Sequence, residues 1–133
     1  MNTQEFMTKH GINMTSKPVE ANPNMNDMPE GSTHWRCIFS LNASASAFGV
    51  YYSMGPALKG EPKADELLDC LASNAATYEN ARTFDDWCSE YGYDTDSRKA
   101  ERIFKAVFKQ AGQLKRFLGD DLYNDLLWNT DRD

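Results

Sequence analysis

The stretch "HWRCIFSLNASASAFGVYYSM", residues 34–54, alternates twice. In its first part Trp35, Cys37, Phe39 and Leu41 share one side, and His34, Arg36, Ile38 and Ser40 share the other. In its last part Phe48, Val50, Tyr52 and Met54 fall together. Strand side chains point to opposite faces with a period of two, so both parts read as strands with one apolar face. The small residues of "NASAS", 42–46, suit a short hairpin connection. The expectation is an antiparallel hairpin with Trp35, Phe39, Val50 and Tyr52 facing a layer of helices.

Upstream, "INMTSKPVE" reads as an edge strand, because Pro18 has no N–H to give to a ladder. "NTQEFMTKHG" reads as a short helix capped by Asn2 or Thr3, with Gly11 as its left-handed end. "ANPNMNDMPEGS", 21–32, reads as a loop, and "GPALKGEP" closes the sheet region.

Downstream the composition changes. All five prolines lie at or before Pro62, and the chain beyond is rich in helix formers. Four helices are expected there. Pro62 suits the first turn of one running to about Tyr78, with Leu67, Leu68, Leu71, Ala75 and Tyr78 as its apolar face. Thr83 and Asp86 resemble a capping box for "FDDWCSEY", which buries Phe84, Trp87 and Cys88 and stops at Gly92. A third helix covers 97–118, and "DDLYNDLLW" packs Leu122, Leu126 and Leu127.

The fold class is therefore α+β: a small antiparallel sheet of two to three strands, followed by a bundle of about four helices covering one face. One domain is expected across 1–133. Residues 1–60 carry the short helix, strands and loops, 61–128 form the helical half, and 129–133 fray.

Hydrophobic content of 41% is adequate for a packed core without metals or disulfides. The three cysteines, Cys37, Cys70 and Cys88, match no disulfide framework or zinc spacing and read as reduced structural thiols. No apolar run approaches the ~20 residues of a membrane span. "MNTQEFMTKHG" is polar and has no signal-peptide core, so a cytoplasmic protein is expected. Phosphate-loop, dinucleotide, G-x-S-x-G and H-E-x-x-H patterns are missing, and His10 and His34 have no evident Cys or Ser partner in the sequence. No catalytic residue, cofactor or metal is assigned, and the chain is expected not to be an enzyme.

Charge is the distinctive feature. The chain has 14 Lys+Arg against 20 Asp+Glu, a net charge of −6. Yet Arg98, Lys99, Arg102, Lys105, Lys109, Lys115 and Arg116 all fall in one segment, where Glu101 is the only acid. At ~100° per residue, Ala100, Ile103, Phe104, Val107, Ala111, Leu114 and Leu118 form one stripe. Arg98, Arg102, Lys105, Lys109 and Arg116 lie opposite, within about 60° of each other, over about 27 Å. Asp94 and Asp96 precede this helix, where either can cap it. The plain alternative is a solvated face, since exposed ion pairs contribute little. The specific reading is a surface for an acidic protein or other anion. A second candidate surface is acidic: Asp65, Glu66, Asp69, Asp85, Asp86 and Glu90. Its plain alternative is the preference of carboxylates for helix N-termini.

The segments "EFMTKHGI", "ANPNM", "GEPKADELLDCLASNAATYENARTFDDWCSEYGYDTDSRKAERIF" and "LLWNT" resemble a group of small proteins that recur in bacteriophage and prophage genomes. The resemblance implies a phage accessory protein acting in the host cytoplasm, and carries over no functional residue. Such proteins often bind and inhibit a host protein, which would make this chain an anti-CRISPR or other anti-defence factor. The partners then expected are a host protein or defence complex, or a second copy of the chain, and no membrane. A nucleic-acid-binding accessory protein using the helix at 97–118 is the alternative; the surrounding carboxylates weigh against it.

Overall fold

The computed structural model describes residues 1–23, 28–42, 44–81 and 83–131. The expected loop at 21–32, the connection at 42–46 and the tail at 129–133 each fall partly outside them, at 24–27, at 43, and at 132 and 133. The elements run α1 (Thr3–His10), β1 (Ile12–Val19), β2 (Thr33–Leu41), β3 (Ala47–Met54), α2 (Ala64–Ala81), α3 (Phe84–Tyr91), α4 (Arg98–Leu118) and α5 (Asp120–Trp128). The fold is α+β.

The sheet is antiparallel in the order β1-β2-β3. Trp35 faces Tyr52, Cys37 faces Val50 and Phe39 faces Phe48 across β2 and β3. Directly opposed residues share a face. That face holds Cys37, Phe39, Phe48, Val50 and Met54, all buried, while Trp35 and Tyr52 are half-buried. The hairpin and its apolar side therefore form as the alternation requires. β1 is an edge strand, and its Pro18 sits opposite Trp35 near the strand's end. There a missing N–H costs the ladder least.

The chain divides into two compact units, Gln4–Leu67 and Met1–Thr3 with Leu68–Asp133. The first holds the sheet and most of α1, with Phe6, Met7 and Ile12 buried beside the strand residues. Gly11, at φ 65°, turns the chain from α1 into β1. A side chain at Gly11 would meet the Asn42 amide at 2.9 Å. Glycine is thus required both for the backbone and for the space.

The second unit holds α3, α4, α5 and most of α2. Its aromatic core centres on Trp87, which stacks on Tyr93 at 5.5 Å and meets Phe104 edge-on at 5.6 Å. Phe104 also meets Phe84 at 5.5 Å. Ala81, Cys88, Ala100 and Val107 complete this cluster. Phe84 and Phe104 stay half-buried. α5 buries Leu126, Leu127 and, beyond expectation, Tyr123, whose hydroxyl donates to Glu79 at 3.0 Å.

Two helix starts differ from the sequence reading. α2 begins at Ala64, since the Leu67 N–H bonds the Lys63 carbonyl; Pro62 lies just outside, and the helix runs on past Tyr78 to Ala81. α4 is capped by Ser97, whose hydroxyl accepts from the Ala100 N–H at 3.1 Å, and not by Asp94 or Asp96. Those two belong to a preceding turn closed by Ser97 N–H to the Asp94 carbonyl. Residues of the expected frayed tail are tied: Thr130 donates to the Asp125 carbonyl, and Asp131 pairs with Asn2.

Candidate functional site: the cationic face of α4

α4 is a single helix of 21 residues with a sharply divided surface. Ala100, Val107, Ala111, Leu114, Phe117 and Leu118 are buried. That burial fixes the helix's rotation, so the opposite side has to face solvent. Arg98, Arg102, Lys105, Lys109 and Arg116 are all exposed. The row expected from the sequence is thus assembled on one face. Lys105 meets Glu101 one turn back at 2.9 Å. Among the described residues no carboxylate pairs with Arg98, Arg102, Lys109 or Arg116. Lys115 leaves the row and lies over the Tyr123 ring at 5.8 Å.

Carboxylates bound the row at both ends. Asp94 and Asp96 precede Arg98, and Asp120 and Asp121 open α5 beyond Gly119; all four are exposed. The cationic strip is therefore finite, about 27 Å from Arg98 to Arg116 at ~1.5 Å per residue.

Two residues on this face escaped sequence reasoning. Phe108 is 56% exposed. Its ring meets the edge of Tyr78 at 5.3 Å and 86°, so its position is held from behind while much of it stays open. Gly112 lies one turn further on, with nothing within 4 Å of where a Cβ would stand. The signal was in the spacing. Residues 98, 102, 105, 109, 112 and 116 alternate steps of four and three, and Gly112 is the one member without a cation.

The acidic candidate set is not one patch on either unit. Asp65 and Glu66 lie in Gln4–Leu67, whereas Asp69, Asp85, Asp86 and Glu90 lie in the helical unit. Glu66 pairs weakly with Lys63 at 3.9 Å, and Asp69 accepts a hydrogen bond from Thr3. Asp85, Asp86 and Glu90 are exposed on α3.

Two other places hold polar groups together. In the sheet unit a cleft of about 450 Å³ is lined by residues including Gln4, Thr8, Asn13, Asn42 and Asp65. Asn13 donates to Asn42 across it at 2.6 Å. On the sheet, Ser53 does partner His34, contrary to the sequence reading: its Oγ lies 2.7 Å from Nδ1 and accepts from Asn22 at 3.0 Å. The pairing is cross-strand, so distance along the chain hid it. Asn22 is 3% exposed, and its bond to Ser53 fastens the connection after β1 onto β3. Among the described residues no group of three or more His, Cys, Asp or Glu could hold a metal ion, and no helix is long and apolar enough to cross a membrane.

Burial pushes the Cys37 thiol up, partly offset by Arg36. Burial also pushes Cys88 up, with Asp85 and Asp94 adding to the effect. Both shifts hold the thiols protonated, the less reactive form.

Compared with known proteins, the chain matches no family model, no curated protein and no solved structure.

Proposed function

We propose that this chain acts by binding, and that the cationic face of α4 docks onto an acidic surface of a partner protein. The observation that carries the reading is the row Arg98, Arg102, Lys105, Lys109 and Arg116, exposed on one helix face and neutralised within the described residues only at Lys105. A row of like charges carries mutual repulsion that a partner of opposite sign relieves, and complementary charge steers encounter and fixes register. The carboxylates at both ends favour a protein's bounded acidic patch over a long polyanion, which would run past Asp94 or Asp121 and be repelled. The resemblance to phage accessory proteins extends the reading: the partner is a host protein, and occupying its acidic surface inhibits it, in an anti-CRISPR or other anti-defence role.

The test is recovery of partners from the bacterial host with the tagged protein, then measurement of binding with Arg102→Glu/Lys109→Glu. Both positions are exposed, so folding should be kept. Binding should fall steeply in the variant and weaken with salt in the wild type. A variant that binds as well as wild type at low and moderate salt makes the face a solvated surface and ends the reading. Self-association serves as an internal outcome: if the partner is a second copy, sedimentation shows a salt-sensitive dimer that the variant abolishes.

A further inference from the structure

The face of the sheet turned away from its buried side carries charge of one sign. β1, β2 and β3 contain no Asp or Glu, in a chain with 20 of them. Their only Lys and Arg are Lys17 and Arg36, and the register sets these two directly opposite each other. Tyr51 stands opposite Arg36 on the third strand, so the three form one row across the open face. Lys17 is exposed, and Arg36 and Tyr51 are half-buried. Like charges directly opposed across a ladder are destabilising. Among the described residues neither cation meets a carboxylate. Arg36 is also seated. Its guanidinium carbon lies 4.7 Å from the centre of the Tyr51 ring, and the group reaches over Gly49. A Cβ at Gly49 would stand 2.5 Å from an Arg36 terminal nitrogen and 2.9 Å from Cζ. Gly49 is not in the left-handed region, so the guanidinium and not the backbone requires glycine there. Glycine weakens a strand interior and marks the close approach of another group. The strand thus gives up a side chain to hold a guanidinium whose charge is unpaired.

We propose that Lys17 and Arg36 form an anion site on the open face of the sheet, and that its ligand is a dianionic phosphate group, free or as a monoester. The site belongs to the sheet unit and is independent of the reading of α4. Arg36 leans over β3, and Lys17 rises on a flexible stem from β1, so an anion above β2 is reached from both sides. Two unpaired charges match a dianion. A phosphate monoester carries about −1.5 to −2 at pH 7, whereas a carboxylate carries one charge and leaves one cation unmatched. Tetrahedral oxygens suit both donors, since a guanidinium fork takes two of them and an ammonium a third. Ile38, the next residue of β2 on this face, is 39% exposed and is the apolar surface available to the organic part of an ester.

The probe is inorganic phosphate, titrated into the isotope-labelled chain at constant ionic strength and about pH 7.5, where the dianion predominates. Binding is read from the NMR shifts of the backbone amides. Shifts should cluster at Lys17, Arg36, Gly49 and Tyr51. Acetate should bind about fivefold more weakly, as the loss of one exposed ion pair implies. Lys17→Gln, at an exposed position, should weaken phosphate by a similar factor and leave shifts elsewhere unchanged. Gly49→Ala keeps both charges but evicts the guanidinium from its seat. Only the flexible end of Arg36 has to move, so the fold is kept, and phosphate binding should again fall about fivefold. A general attraction to positive charge would not respond to that substitution.

Adenosine monophosphate distinguishes the sources of the group. Tighter binding than phosphate, with a shift at Ile38, assigns the site to a monoester; equal binding without that shift assigns it to free phosphate. Acetate that binds as tightly as phosphate overturns the proposal. So does phosphate binding unchanged in both Lys17→Gln and Gly49→Ala, which makes the pair a solvated surface. Shifts confined to α4, at Arg102 and Lys109, overturn it by placing the anion on the other cationic face. A thymidine oligonucleotide that binds tighter than adenosine monophosphate, with a salt slope near one counterion per phosphate contact, replaces the site with a nucleic-acid surface.

Discussion

At the scale of single residues, environment decides what each polar group does. Trp87 is 1% exposed, and its indole nitrogen has no hydrogen-bond partner among the described residues. An orphaned buried donor costs about 1–3 kcal/mol, comparable to the packing lost on trimming the ring. Trp87→Phe is therefore expected to shift stability by no more than about 1 kcal/mol, read from the denaturant midpoint, because the two effects oppose. A loss of several kcal/mol would show that the nitrogen is satisfied. The thiols of Cys37 and Cys88 follow the same logic with pH. Their pKa values are raised in the folded state, chiefly by burial. Unfolded thiols ionise first as pH rises past about 8.5, so the unfolded state then binds fewer protons and stability falls. The stabilisation is complete below that pH and is lost as pH climbs toward the folded values. A chemical midpoint measured between about pH 8 and 10 should decline, and Cys88→Ala should flatten part of the decline while lowering stability overall. A decline of unchanged steepness would assign the alkaline loss to other groups.

At the scale of elements, local rules worked where a signal sat beside the residue it governs. Thr83 accepts from the Asp86 N–H at 3.2 Å, and Gly92 takes φ 74° at the other end of α3, both as the sequence requires. The strand alternation gave the buried face because Trp35 to Leu41 on β2 and Phe48 to Met54 on β3 keep one side apolar throughout. The cap of α4 was less legible. "DTDS" offers a capping side chain at each of its four residues, and composition alone does not choose among them. The turn from Asp94 to Ser97 uses the first three residues up and leaves Ser97 adjacent to the helix. Ser97→Ala should therefore cost about 1 kcal/mol, while Asp96→Asn should change stability by a few tenths. The reverse order in a melting series would mean that the aspartate caps. Phe108 was illegible for a different reason. It lies at the border between the apolar stripe and the cationic row, and a two-stripe reading of a helix has no category for the border. The row itself was legible from spacing, whereas the His34–Ser53–Asn22 grouping depends on strand register and on a long connection that no local pattern encodes.

At the scale of the whole molecule, the first residues of the chain belong with the last. Met1–Thr3 group with the helical unit, although Gln4 onward belongs with the sheet. Three contacts make this so. Asn2 bridges Asp131 in parallel, the Asp131 N–H donates to the Met1 carbonyl at 2.8 Å, and Thr3 donates its hydroxyl to Asp69. Thr3 is 3% exposed although it is polar and near the chain's start. No sequence rule anticipates this, because the partners are 66 and 130 positions away. The tie spans most of the chain, so it cannot form until the helical unit has reached the N-terminal segment. Such contacts come late, since long-range closure must be completed before they reward it. Thr3→Val keeps the shape and removes the hydroxyl, leaving the Asp69 carboxylate without this donor. The expected cost is about 1–3 kcal/mol, the range for hydrogen bonds to charged groups. Because the bond closes late, the loss should appear almost wholly as faster unfolding with the folding rate nearly unchanged. Stopped-flow chevrons of wild type and Thr3→Val decide the matter. A slowed folding limb would place the N-terminal segment in the folding nucleus, and an unaltered midpoint would show that the tie holds the chain's two ends together without stabilising the fold.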